Sequence, residues 1–174
     1  MNAGKTTSLL QVAHNYEENG AQVLLLTSAL DDRAGRGVIS SRIGLQREAD
    51  CYTTDTDFDE VLRHADVACV LVDEAQFLTP EQVRQLHRWV HARNIPVMCF
   101  GLRSDFQGRA FPGAAALLTL ADTLEEIRTA CRCGRKATMN IRVDAHGHRV
   151  EEGEQVLIGG NARYRQVCAR CFYH

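Results

Sequence analysis

Val67-Ala68-Cys69-Val70-Leu71-Val72-Asp73-Glu74 sets six apolar side chains in an unbroken row and stops them on two carboxylates. A row of that kind is a strand covered on both faces, the condition of a parallel sheet between helices. Continuous apolar strands also lie at Gln22–Ser28 and Pro96–Gly101. Helical stretches separate them. Residues 5–19 place Leu9, Val12, Ala13 and Tyr16 at i, i+3, i+4, i+7 and stop at Asn19-Gly20. Thr56, with Asp59 three residues on, opens a short helix whose stripe is Phe58, Val61, Leu62 and Ala65. Thr79-Pro80-Glu81-Gln82 is a strong helix start, with Thr as cap, Pro first and Gln three after the cap. Val83, Leu86 and Val90 form that helix's inner face. Residues 112–121 read as a short helix, 123–128 as a further strand, and the polar stretch 29–50 as a long loop. Strands alternating with helices predict an α/β fold with a parallel sheet and helices on both faces.

The chain has 174 residues, 45% hydrophobic and 24% charged, which is ordinary globular usage and excludes a disordered chain. A chain of this size buries roughly 70% of its unfolded surface, enough for a core without staples. The longest apolar run is too short for a membrane span, and no signal peptide opens the chain. A cytoplasmic, reducing compartment is therefore expected. The net charge of −2 hides an asymmetry: residues 1–127 carry 11 basic and 18 acidic side chains, residues 128–174 carry 9 and 4. The basic tail (Arg128, Arg132, Arg135, Lys136, Arg142, Arg149) raises nucleic-acid binding as an alternative. Its aromatic residues are confined to Tyr164 and the Phe172-Tyr173 pair, so stacking platforms are scarce, and neither nucleic acid nor membrane is expected as a partner.

Ala3-Gly4-Lys5-Thr6-Thr7, at the mouth of the first helix, is the back half of a phosphate-binding loop. Amide groups at a helix N-terminus point at phosphate and the dipole favours negative charge. Lys5 would reach the β/γ oxygens and the Thr6 hydroxyl would ligate Mg²⁺. Gly-Lys-Thr alone is a weak signal, since a plain helix start reads equally well. Asp73, at the end of a buried strand, supplies the missing partner as a carboxylate for Mg²⁺. Glu74 beside it sits where open α/β sheets place ligands. It can accept a proton from a hydroxyl attacking the γ-phosphorus, or polarise water as in an ATPase. The residue types leave that choice open.

Seven cysteines are unevenly spread. Cys131-x-Cys133 and Cys168-x-x-Cys171 are two close pairs separated by 34 residues, the pattern of a closed, structural tetrahedral zinc site. Four buried free thiols are the alternative. Cys69 and Cys99 lie in apolar strands and read as small core residues, while Cys51 has no assignment. The character of the chain changes near residue 129, which divides it into 1–128, an α/β core, and 129–174, a small zinc-binding β subdomain.

Five motifs in order carry a family resemblance: Met1-Asn2-Ala3-Gly4-Lys5-Thr6-Thr7, Asp73-Glu74-Ala75-Gln76-Phe77, Gly101-Leu102-Arg103-Ser104-Asp105-Phe106, Cys131-Arg132-Cys133-Gly134-Arg135-Lys136 and Ile158-Gly159-Gly160-Asn161-Ala162-Arg163-Tyr164. Together they resemble the type II thymidine kinases, zinc-containing cytosolic enzymes of deoxyribonucleoside salvage, and the C-x-C pair resembles their bacterial branch. The resemblance implies a P-loop NTPase-like core with a C-terminal zinc-binding lasso. It implies ATP-dependent phosphorylation of the thymidine 5′-hydroxyl, a homotetramer, and feedback inhibition by dTTP. Glu74 matches the general base. Met1, Asn2, Ala3, Gly4, Lys5, Thr6, Thr7 and Asp73 match the ATP- and phosphate-binding set, with Thr6 and Asp73 on Mg²⁺. Arg33 resembles the arginine of a flexible loop near the phosphates. Gln76 belongs to that set and, with Phe77, lies near the nucleoside. Leu102, Phe106 and Phe111 match positions around the thymine ring, and Leu157, Gly159 and Tyr164 match the lasso. Cys131, Cys133, Cys168 and Cys171 match the zinc ligands. Relative to the family, the first strand and the leading half of the phosphate loop are missing, so the expectation is a fragment or a product that begins upstream.

Overall fold

The computed structural model describes residues 4–31, 33–157 and 163–174. Four parallel strands form the main sheet. They are β1 (Val23–Ser28), β4 (Asp50–Tyr52), β5 (Cys69–Val72) and β6 (Val97–Cys99), in the order β4-β1-β5-β6. Leu25 of β1 lies opposite Leu71 of β5, and Val72 opposite Cys99 of β6.

The two-residue period of β5 sorts its side chains between two cores. Cys69 and Leu71 pack with Leu9, Leu10 and Ala13 of α1 (Lys5–Glu18) on one face. Val70 and Val72 pack on the other face with Phe58 and Leu62, around α2 (Phe58–Val61), and with Val83, Leu86 and Trp89 of α3 (Pro80–Arg93). Helices thus cover both faces of the sheet. The Thr79–Gln82 capping box forms as expected. Gln82 and Trp89, however, are buried on the inner face where Val90 was expected, and Val90 is only half-buried. Gln82 is accommodated because its amide donates to the Thr53 and Thr56 carbonyls at 2.7 and 2.9 Å. The cap of α2 is Asp57, one residue past the expected Thr56, with its carboxylate accepting from the Asp59 amide.

Two expectations are corrected. The stretch 29–50 is not all loop: β2 (Val38–Ser40) and β3 (Gln46–Glu48) pair as an antiparallel hairpin, and β4 closes the segment. Ile39 is buried against the α1 face, so a single anchoring side chain replaces periodicity. Residues 123–128 are not a strand. Strand-like composition needs a ladder partner, and among the described residues the segment has none; Leu124 is 61% exposed.

Helix α4 (Pro112–Leu120) packs against α3 and against the short 3₁₀ turn Ala75–Phe77. Gly113 makes this approach possible, because a Cβ there would meet the Leu78 carbonyl oxygen at 2.2 Å. Beyond the core, β7 (Thr129–Ala130) and β8 (Lys136–Ala137) form a small hairpin. A second sheet pairs β10 (Arg149–Val150), β9 (Met139–Val143) and β11 (Tyr164–Val167), and α5 (Ala169–Tyr173) follows. No helix among the described residues is long and apolar enough to cross a membrane.

Candidate active site

The N-terminus of α1 and the C-terminal end of β5 meet at one cavity of about 720 Å³. Gly4 takes a left-handed conformation (φ 82°) as the N-cap, which turns the chain into the helix at Lys5. The Thr6 hydroxyl then donates to Asp73 Oδ2 at 3.3 Å, joining two motifs 67 residues apart. Asp73 is 5% exposed. Burial, reinforced by the neighbouring Glu74 charge, pushes its carboxyl up to about 6; the Glu74 amide, Lys5 and Thr6 pull it down. A carboxylate so placed gains from a cation.

Glu74 has a positive φ of 50°, a strained conformation for a non-glycine residue. The turn aims its side chain into the cavity, where it is held from two sides. Arg33 Nη2 donates to Oε1 at 3.0 Å, and Gln76 Nε2 donates to Oε2 at 2.5 Å. The buried Tyr52 hydroxyl donates to the Glu74 carbonyl at 2.9 Å and fixes the backbone. Arg33 also grips Asp31 through two contacts of 2.5 Å, and these carboxylates raise its pKa further. Gln76 spends its other amide end accepting from the Leu102 amide at 3.0 Å. It therefore links the Asp73–Phe77 and Gly101–Phe106 segments.

Gly4, Lys5, Thr6, Thr7, Arg33, Asp73, Glu74, Gln76, Phe77, Leu102, Phe106, Phe111, Leu157 and Tyr164 all line this cavity. Met1, Asn2, Ala3 and Gly159 lie outside the described residues. The Phe77 and Phe111 rings meet edge to face at 6.1 Å and form one apolar wall.

Phe106 departs from a simple aromatic wall. The Arg142 guanidinium lies 3.8 Å from its ring centroid. Arg142 is 5% exposed and also donates to the Tyr164 hydroxyl at 3.2 Å and to the Glu154 carbonyl at 2.7 Å. The Tyr164 hydroxyl donates onward to the Leu157 carbonyl at 3.1 Å. One inward-facing arginine thus ties residues 154–157 to the cavity wall. In the sequence Arg142 stands in the basic tail that raises nucleic-acid binding, and no local signal distinguishes it there from its neighbours. Asp105 was likewise missed as an organiser: it caps its own loop and accepts from Gln155 Nε2 at 2.9 Å.

A family model described as thymidine kinase matches residues 1–172. The chain belongs to the thymidine kinase family. A thymidine kinase of Chromobacterium violaceum is 62% identical over 176 residues, spanning 100% of this chain and 94% of that protein. One from Albidiferax ferrireducens is 61% identical, over 99% of this chain and 88% of its own length. One from Idiomarina loihiensis is 56% identical, over 98% and 90%.

In this thymidine kinase family member the four paired cysteines converge. Sγ atoms of Cys131, Cys133, Cys168 and Cys171 all lie within 4.8 Å of one another, and Cys133 and Cys168 are 3.6 Å apart. A tetrahedral ion with thiolate bonds of ~2.3 Å separates its sulfurs by roughly 3.8 Å, so the cluster can hold a metal ion. The Arg135 amide pushes the Cys133 thiol down to about 6, whereas the Cys133 and Cys168 side chains push Cys171 up to about 12. Four thiolates together need a cation. Cys69 is a buried core thiol and Cys99 is half-buried at the margin of the core; burial pushes them up to about 11 and about 12. Cys51 is half-buried on β4 beside Gly37.

Proposed function

We propose that the chain transfers the γ-phosphoryl group of ATP to the 5′-hydroxyl of thymidine, giving dTMP and ADP. One observation carries the site assignment. The Glu74 carboxylate is turned into the cavity by a left-handed backbone, one residue from the Asp73–Thr6 pair, in the cavity that the Phe77–Phe111 wall also lines. Family membership favours a nucleoside hydroxyl over water as the acceptor.

In this reading the P-loop-like start of α1 binds the phosphates through its amide groups and Lys5. The family resemblance adds Met1, Asn2 and Ala3 to the same phosphate-binding set. Thr6 and Asp73 would hold Mg²⁺, which neutralises phosphate charge when bound. Arg33, which donates to Glu74 Oε1, would serve the phosphates as the family resemblance implies. As the acceptor approaches, Glu74 exchanges its Arg33 contact for the substrate hydroxyl and takes its proton. Gln76 keeps the carboxylate aimed. Phe77, Leu102, Phe106 and Phe111 would enclose the base, with Leu157 and Tyr164 bordering the same cavity; the family resemblance alone adds Gly159 to the substrate set. The cysteine cluster takes structural zinc, which ties the 129–174 subdomain to the 1–128 core. The family resemblance further supports dTTP as feedback inhibitor, a homotetramer and a cytoplasmic location.

Glu74→Gln tests this reading. It keeps the shape and one oxygen that can accept from Arg33, turns an NH₂ group toward the Gln76 Nε2 donor, and cannot take a proton. Thymidine-dependent ADP formation should fall about 10²–10⁴-fold with ATP binding retained; undiminished turnover overturns the assignment.

A further inference from the structure

We propose that His87, His91 and Asp122 form a second metal site, for a divalent transition-metal ion such as Zn²⁺, on the outer side of α3. His87 and His91 are one turn apart, so their rings share a face of the helix. Their Nε2 atoms are 3.2 Å apart, with ring centroids at 4.6 Å. Asp122, just past the end of α4, brings Oδ2 to 3.6 Å from His91 Nε2. All three ligand atoms lie within 4.8 Å of one another. A tetrahedral ion with bonds of ~2.0–2.1 Å separates its ligand atoms by roughly 3.3 Å, close to the two separations made by His91 Nε2, 3.2 Å to His87 and 3.6 Å to Asp122. Two imidazoles facing each other present opposed lone pairs unless a proton or a cation lies between them. Two imidazoles and one carboxylate select Zn²⁺, Ni²⁺ or Cu²⁺ over Mg²⁺.

The backbone that carries both histidines is fixed, because α3 packs against α4. None of the three lines the cavity, and none belongs to the cysteine cluster. A bound ion joins α3 to the end of α4, the helix whose N-cap is Phe111. Its expected effect is to stabilise that pair of helices, with a fourth position left to water.

The test is metal counting on the full chain as purified. Dialysis against excess free Zn²⁺ should add one zinc per chain and raise the melting temperature. The added equivalent should be lost in His87→Ala/His91→Ala and in Asp122→Asn, while the metal already carried by the purified protein stays. Equal Mg²⁺ should add nothing. No added zinc in the wild-type chain, or an added zinc retained by the double-histidine variant, overturns the proposal.

Discussion

Asp73→Asn should make the protein more stable and less active, and the gain should grow with pH. The folded-state carboxyl is held at about 6 against its ordinary 3.8, chiefly by burial. A tenfold change in a proton equilibrium is about 1.4 kcal/mol, so keeping Asp73 charged costs on the order of 3 kcal/mol. The sign follows from proton linkage. Between 3.8 and about 6 the native state holds more protons than the unfolded chain, so this group lowers stability as pH rises. Below 3.8 the contribution vanishes, and above about 6 it is complete. Asparagine carries no charge, yet it can accept from the Glu74 amide, as Asp73 Oδ1 does at 2.9 Å, and meet Thr6 with its NH₂ group. The variant should gain about 3 kcal/mol at pH 8 and about half of that at pH 5. At roughly 2–4 °C per kcal/mol, the midpoint should rise roughly 6–12 °C at pH 8. Thermal denaturation without nucleotide or Mg²⁺, at pH 5, 6.5 and 8, measures it. Equal or lower stability at pH 8, or a gain that does not shrink toward pH 5, refutes the reasoning. Steady-state turnover with Mg²⁺ and ATP should fall at least about 10²-fold in the same variant.

Arg142→Met removes the cation over Phe106 and the hydrogen bonds to Glu154 and Tyr164. The Michaelis constant for thymidine should rise about 10–100-fold with a smaller change in kcat, and Arg142→Lys should not restore it; an unchanged constant contradicts the positioning role. Cys133→Ser should abolish metal binding at the cysteine cluster and destabilise residues 129–174 first, seen as early loss of hydrogen-exchange protection there; metal bound as fully as in the unaltered chain counts against the four-cysteine site. Gly113→Ala places a Cβ 2.2 Å from the Leu78 carbonyl oxygen, so chemical denaturation should show a loss of about 1–3 kcal/mol. An unaltered midpoint would show that α4 can shift freely.

The α/β alternation was legible because it rests on local patterns. Apolar rows such as Val67–Val72 can be strands only where helices cover both faces, and the Thr79–Gln82 cap is written in four adjacent residues. The β2–β3 hairpin was not legible: Gln46, Arg47 and Glu48 are all exposed, and Ile39 is its buried anchor. Residues 123–128 looked like a strand, but a strand exists only with a neighbour to pair with.

The chain by itself determined which chemistry was available. Lys5 and Thr6 at a helix mouth, Asp73 and Glu74 at a strand end, and paired cysteines near the C-terminus are recognisable because each group's role depends on its immediate neighbours. Only the tertiary structure decided which groups meet. It set Thr6 against Asp73, aimed Glu74 between Arg33 and Gln76, and turned Arg142 from the surface onto Phe106. The reason is physical. The direction of Arg142 follows from the register of β9, where Arg142 lies opposite Val150 on one side and Tyr164 on the other. Register is a contact between distant segments, which no local pattern encodes.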